Sequence, residues 1–194
     1  LILVGLFFGG WWLFTQINFF PNKVSVDLTL SVSQEEQLGD IFSEQIFLTW
    51  DELENPTVDS AAAVITDRLI AALDSTDYTY TFRVLDDPTI NAFTIFGGNI
   101  FIFSGLIELA ETPEELAAVL AHEIAHAEER HINSRIIREV GVATLITILT
   151  GGNSTLVIDL AQKLVSADFS RTQEREADQF AMHLLQKAGI HPAL

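Results

Sequence analysis

A chain of 194 residues can build one domain with a substantial core and is hardly long enough for two. Its formal net charge of −17 argues against a nucleic-acid partner, which would need clustered Lys and Arg, and against a basic patch lying on an anionic membrane. The absence of cysteine excludes a disulfide scaffold and thiolate chemistry, and a charged fraction of 19 %, against about 25 % in a typical soluble domain, points to a segment kept from water.

The chain opens with LILVGLFFGGWWLFTQINFF, twenty residues without a charge. At about 1.5 Å per residue such a helix crosses a hydrocarbon core of roughly 30 Å. Phe19, Phe20 and Pro21 close it as an interfacial stop, so residues 1–21 read as a membrane anchor, with the span expected to begin upstream of Leu1. Trp11 and Trp12, at its middle, suit an interface better, and a core segment or a leftover signal peptide is the competing reading. VSVDLTLSV then alternates as a short strand or extended linker.

Ser33 and Glu36 have the spacing of a capping box, predicting a helix to about Phe47. NPTVD reads as a break, after which Asp59 or Ser60 caps a second helix, AAAVITDRLIAAL. YTYTFRVL is β-branched, aromatic and alternating, hence a strand. NAFTIF and NIFIFSGL flank Gly97 and Gly98 as the arms of a hairpin, serving either as sheet core or as an edge for an extended substrate. Thr112, Pro113 and Glu115 start a helix expected to run to about Arg138. From Val140 to Ile158 no residue is charged, and Gly151, Gly152 and Asn153 split the run into halves too short to span a bilayer. This segment is either a buried helical hairpin or a flap over the membrane face or the cleft. A last helix spans roughly Thr172 to Lys187, ended by Gly189. One mixed α+β domain is the economical assembly.

Chemistry concentrates in LAHEIAHAEERH, residues 120–131. Residues four apart stack on one helix face, so His122 and His126 aim two imidazoles at one point beside the small residues Ala118, Val119 and Ala125. Two inward histidines without partners would be costly, and a divalent metal resolves that cost. Glu123 lies about 100° round the helix from His122, where a general base for metal-activated water belongs; this is the His-Glu-x-x-His zinc-hydrolase pattern. A catalytic zinc needs a third protein ligand. His131 is a poor one, because on a continuous helix it points about 140° away from His126. In SRTQEREADQFAMHLLQKAG, residues Glu174, Ala177, Asp178, Ala181 and Leu185 share a stripe that should face the core, whereas Glu176 and His183 point outward. Glu174 is assigned as the third ligand and Asp178 as the acceptor that orients a ligand imidazole. Ion pairing of both acids to Arg171 or Arg175 is the rival arrangement.

HEIAH followed by EREAD resembles the zinc metallopeptidase family that includes the CAAX prenyl protease, the membrane protease HtpX and the barrel-assembly protease BepA. The similarity extends back through NAFTIFGGNIFIFSGLIELAETPEELAAVLAHEIAH and is nearest the single-anchor, BepA-like branch. The resemblance implies a zincin-like (gluzincin) domain over residues 22–194, mostly helical with a small sheet, following the anchor. It implies one zinc ion per chain on His122, His126 and Glu174, with Glu123 as catalytic base and Asp178 behind the ligands. It also marks Arg171 and His131 as motif positions, with no role derivable beyond packing or ion pairing. The implied activity is membrane-anchored peptide hydrolysis of misfolded or membrane and envelope proteins, on the extracytoplasmic (periplasmic) side, in protein quality control. A proteolytically silent zinc protein that binds clients is the alternative, and a purely structural zinc domain would leave Glu123 without a task. Thr94, Ile95 and Phe96 replace a smaller, proline-containing stretch usual in the family, and a substrate-binding region is expected beyond Leu194.

Overall fold

The computed structural model describes residues 29–152, 154–166 and 168–191, so the anchor segment and most of VSVDLTLSV lie outside the described residues. Ser31 opens α1 (Val32–Phe47): its hydroxyl accepts from the Gln34 amide, and the Gln34 side chain accepts from the Ser31 amide at 2.9 Å. The expected box at Ser33 is therefore displaced by two residues, because Ser31 and Gln34 satisfy the same spacing earlier. In α2 (Pro56–Ile70) the cap is Asn55, whose Oδ1 accepts from the Thr57 amide at 3.1 Å. Asn55-Pro56 begins the helix instead of interrupting the chain before Asp59, since proline at the first position lacks only an amide that would have no partner.

Three strands follow, β1 (Thr81–Leu85), β2 (Ala92–Thr94) and β3 (Asn99–Phe103). β3 is central, parallel to β1 and antiparallel to β2. The hairpin around Gly97 and Gly98 is present; both glycines adopt positive φ (72° and 77°), and a Cβ on Gly97 would sit 2.8 Å from the Glu36 Cα. Alternation along β3 divides the interior in two. Phe101 and Phe103 join Phe42, Phe93 and Phe96 in one core, and Ile100 and Ile102 join Leu69, Leu120, Ile124 and Leu184 in the other.

The short α3 (Ser104–Leu109) leads to α4 (Pro113–Glu128), capped by Thr112 as expected. The expected continuation to Arg138 does not occur. The chain breaks at Arg130, which takes a left-handed conformation (φ 52°), and a new helix, α5 (His131–Val140), starts there. No glycine or proline announces that break. A tertiary contact holds it: the Arg130 guanidinium pairs with the fully buried Glu35 and donates to the Leu30 carbonyl at 2.8 Å.

The uncharged stretch becomes α6 (Val142–Leu149) and α7 (Ser154–Val165), bent by 117°. Val142, Leu145, Ile148, Leu160 and Leu164 are buried in the first core, so the segment packs there as the expected helical hairpin. No single described helix is long and apolar enough to cross a membrane. α8 (Arg171–Ala188), capped by Ser170 and ended by left-handed Gly189, packs along α4. The described residues are thus mostly helical with one small sheet.

Candidate metal centre

α4 is gripped between the sheet and α8, and its buried side carries Leu120, Ala121, Ile124 and Ala125. The same side carries the two histidines. Their Nε2 atoms lie 3.0 Å apart, and Glu174, in the first turn of α8, places carboxylate oxygens 3.5 Å from His122 Nε2 and 4.0 Å from His126 Nε2. All three ligating atoms fall within 4.8 Å of one another. Tetrahedral zinc with bonds of about 2.0–2.1 Å sets its ligand atoms ~3.3 Å apart, so this donor set fits the ion in type and in spacing. Arg171 and Arg175 pair with neither acid; Arg175 Nε donates instead to the Arg171 carbonyl at 3.1 Å.

Burial differs between the two rings, and that matters. The His126 side chain is 2 % exposed and His122 is 25 % exposed, so one side of the cluster is sealed and the other opens to solvent. Burial first, then the neighbouring His122 and His131, push the His126 pKa down to about 3, which keeps its ring neutral with a lone pair to offer. His122 Nδ1 lies 3.1 Å from Asp178 Oδ1, but the Asp178 side chain is 67 % exposed, so this end of the expected core-facing stripe opens to solvent at the edge of the cluster.

Glu123 faces the cleft from the adjacent helical position and is buried. Thr94 on β2 donates its hydroxyl to Glu123 Oε2 at 2.9 Å and also lies 2.8 Å from the Glu123 carbonyl. Burial pushes the Glu123 carboxyl up to about 8, the Glu174 charge adds to the rise, and the Thr94 hydrogen bond opposes it. The cleft over these groups has a volume of about 450 Å³, with Asn91 to Thr94 on one wall and Val165, Ser166, Asp168 and Phe169 on the other. The apolar hairpin thus contributes the far wall, and the Asn91 amide ties it to β2 through the Val165 carbonyl at 3.3 Å.

Phe169 carried no expectation in the sequence, and His131 was marked there without a role. Phe169 stacks on His126 with ring centroids 3.9 Å apart and planes 19° from parallel. Its only signal was an aromatic residue just before the Ser170 cap. His131, turned back by the break at Arg130, sets Nδ1 3.0 Å from His126 Nδ1 and Nε2 3.3 Å from Glu176 Oε2. Glu176 does point outward as expected, with half its side chain exposed, yet it reaches His131 from there.

The sequence profile of peptidase family M48 matches residues 56–193. The chain is 30 % identical over 182 residues to the beta-barrel assembly-enhancing protease of Yersinia pestis, covering 87 % of this chain and 37 % of that protein. It is 29 % identical over 199 residues to the mitochondrial metalloendopeptidase OMA1 of Schizosaccharomyces pombe, covering 95 % and 57 %. Metalloprotease LoiP of Escherichia coli is 31 % identical over 119 residues, 58 % of this chain and 47 % of that protein. The chain therefore spans little more than a third of the length of the assembly-enhancing proteases it matches.

Proposed function

The chain belongs to peptidase family M48, and from that premise we propose that it is a membrane-anchored, zinc-dependent endopeptidase acting on misfolded or envelope proteins. The observation that carries this reading is the buried Glu123 carboxylate beside the His122, His126 and Glu174 set, in a cleft open to solvent. His122, His126 and Glu174 hold one zinc ion per chain. Zinc held there supplies Lewis-acid chemistry, acidifying a water and polarising the scissile carbonyl.

Glu123 takes the proton of the attacking water and passes it to the departing amine. A carboxyl raised by burial is suited to both halves of that transfer, and Thr94 holds it in place with a hydrogen bond that favours its ionised form. Asp178 holds the His122 ring. The outer edge of β2 lies along the cleft and pairs with no other strand among the described residues, which supports an extended substrate docking there by backbone hydrogen bonds. Residues 1–21 form the anchor and residues 22–194 the peptidase domain, which faces the extracytoplasmic side. Relatives named for enhancing β-barrel assembly and for a mitochondrial location support substrates drawn from membrane and envelope proteins.

Metal analysis of the purified chain and of Glu123→Gln, together with cleavage of casein, tests this reading. One zinc per chain in both proteins and cleavage by the parent alone are expected. Equal cleavage by both would remove Glu123 from the chemistry. Zinc without cleavage in either would transfer the reading to a silent, client-binding zinc protein.

A further inference from the structure

His126 Nδ1 and His131 Nδ1 lie 3.0 Å apart, a contact in which one nitrogen must donate and the other accept. His126 turns its Nε2 toward His122 and Glu174, so for that atom to keep a lone pair the ring proton must sit on Nδ1. His131 Nδ1 is then the acceptor, and the His131 proton moves to Nε2. That nitrogen lies 3.3 Å from Glu176 Oε2, and an ionised carboxylate only accepts. Every donor in this chain points away from the metal cluster and every acceptor toward it. The shorter arm on the other ring has the same polarity, with His122 Nδ1 donating to Asp178 at 3.1 Å.

Two further features show that the arm is built and not incidental. His131 is 4 % exposed and its contact with His126 is sealed from water, and Phe169 covers the pair from its stack on His126. The left-handed turn at Arg130 also brings His131 back beside His126. On an uninterrupted helix residue 131 would lie about 140° round from His126 and could not reach it.

We propose that His131 and Glu176 are positioning residues that fix the tautomer and plane of His126, as Asp178 does for His122, so that zinc affinity depends on a carboxylate outside the cleft. The inference rests on the zinc site of the proposed function and goes beyond it in assigning both residues a role. Acceptors behind a ligating imidazole change metal affinity by about 10–100-fold.

The test measures zinc dissociation constants by chelator competition for the parent chain and four variants. His131→Phe keeps a ring but loses both nitrogens, and should weaken zinc binding by about 10–100-fold. His131→Asn retains an acceptor near the position of Nδ1 and should restore most of that loss, which a purely space-filling role would not do. Glu176→Leu, at a half-exposed site that tolerates replacement, should weaken binding in the same direction even if His131→Phe folds poorly. Combining Glu176→Leu with His131→Phe should add little. Nitrogen-15 NMR of the zinc-loaded parent should find His126 protonated at Nδ1 and His131 at Nε2. Parental affinity in both His131→Phe and Glu176→Leu, or a His131 proton on Nδ1, overturns the proposal while leaving the zinc site intact. A parent chain that takes up no zinc overturns both readings.

Discussion

Arg130 connects the stability of the fold to the geometry of the site, and replacing it separates two opposed energies. Its left-handed conformation costs a residue with a Cβ about 1–2 kcal/mol, and it is the one non-glycine with positive φ among the described residues. Against that cost stands Glu35, whose carboxylate is fully buried and whose partners are the Arg130 guanidinium and the Tyr78 hydroxyl. Removing one member of a buried ion pair costs about 3–5 kcal/mol, and the lower end applies because the Arg130 side chain is 42 % exposed. Arg130→Ala loses the pair and keeps the strain, so it should cost ~3 kcal/mol. Arg130→Gly loses the pair but relieves the strain, leaving a loss of about 1–2 kcal/mol. Urea unfolding of the zinc-free proteins should rank them parent, then Gly, then Ala, with similar slopes. An Arg130→Gly protein more stable than the parent would show that Tyr78 alone satisfies Glu35 and that the turn is not held by the ion pair.

The pH dependence of zinc-free stability follows from two groups of opposite sign. Glu123 has its folded pKa raised to about 8, so its contribution is complete below the unfolded value of 4.5 and is lost as pH rises through 8. His126, held down to about 3 when folded, contributes fully above the unfolded value of 6.5 and loses that contribution as pH falls toward 3. Melting in the presence of a chelator should therefore peak between these limits, and Glu123→Gln should flatten the alkaline limb alone; an unchanged alkaline limb would mean that Glu123 ionises without penalty. Thr94→Val removes the hydrogen bond that lowers the Glu123 pKa. The acid limb of kcat/KM should then move to higher pH, and a limb that stays in place would show that it does not report Glu123.

What was legible in the sequence is what a single element determines. His122, Glu123 and His126 could be placed because four residues make one turn of a helix whose start was marked by Thr112 and Pro113. Gly97 and Gly98 marked the hairpin because their backbone conformation excludes most other residues. Caps were less secure where one pattern occurs twice: Ser31 with Gln34 and Ser33 with Glu36 share a spacing, and only the folded chain selects the first. The parallel pairing of β1 with β3 carries no local mark, since its direction depends on how the intervening segment returns. His131 is not among the three clustered ligand atoms, as expected, but its reach to His126 could not be foreseen, for a related reason. Its angle on a helical wheel was right for a continuous α4, and the cause of the break is Glu35, on a different helix.

The same long-range dependence explains how one cluster can be sealed on one side and open on the other. The ligands arrive on α4 and α8, whose apolar faces build the second core around Ile100, Ile102 and Leu120. Phe169, which caps His126, packs against the first core with Phe101 and Leu164, as does the hairpin that forms the far wall. The cluster therefore lies on the seam between two cores divided by β3, and each core supplies something the other cannot. The second brings three ligand atoms within reach of one ion, and the first shields His126 from water while leaving His122 at the mouth of the cleft. A disturbance of the first core far from any ligand, in α6 or α7, should consequently loosen the covered side of the site before it separates the ligands, because the contacts between α4 and α8 do not pass through that core.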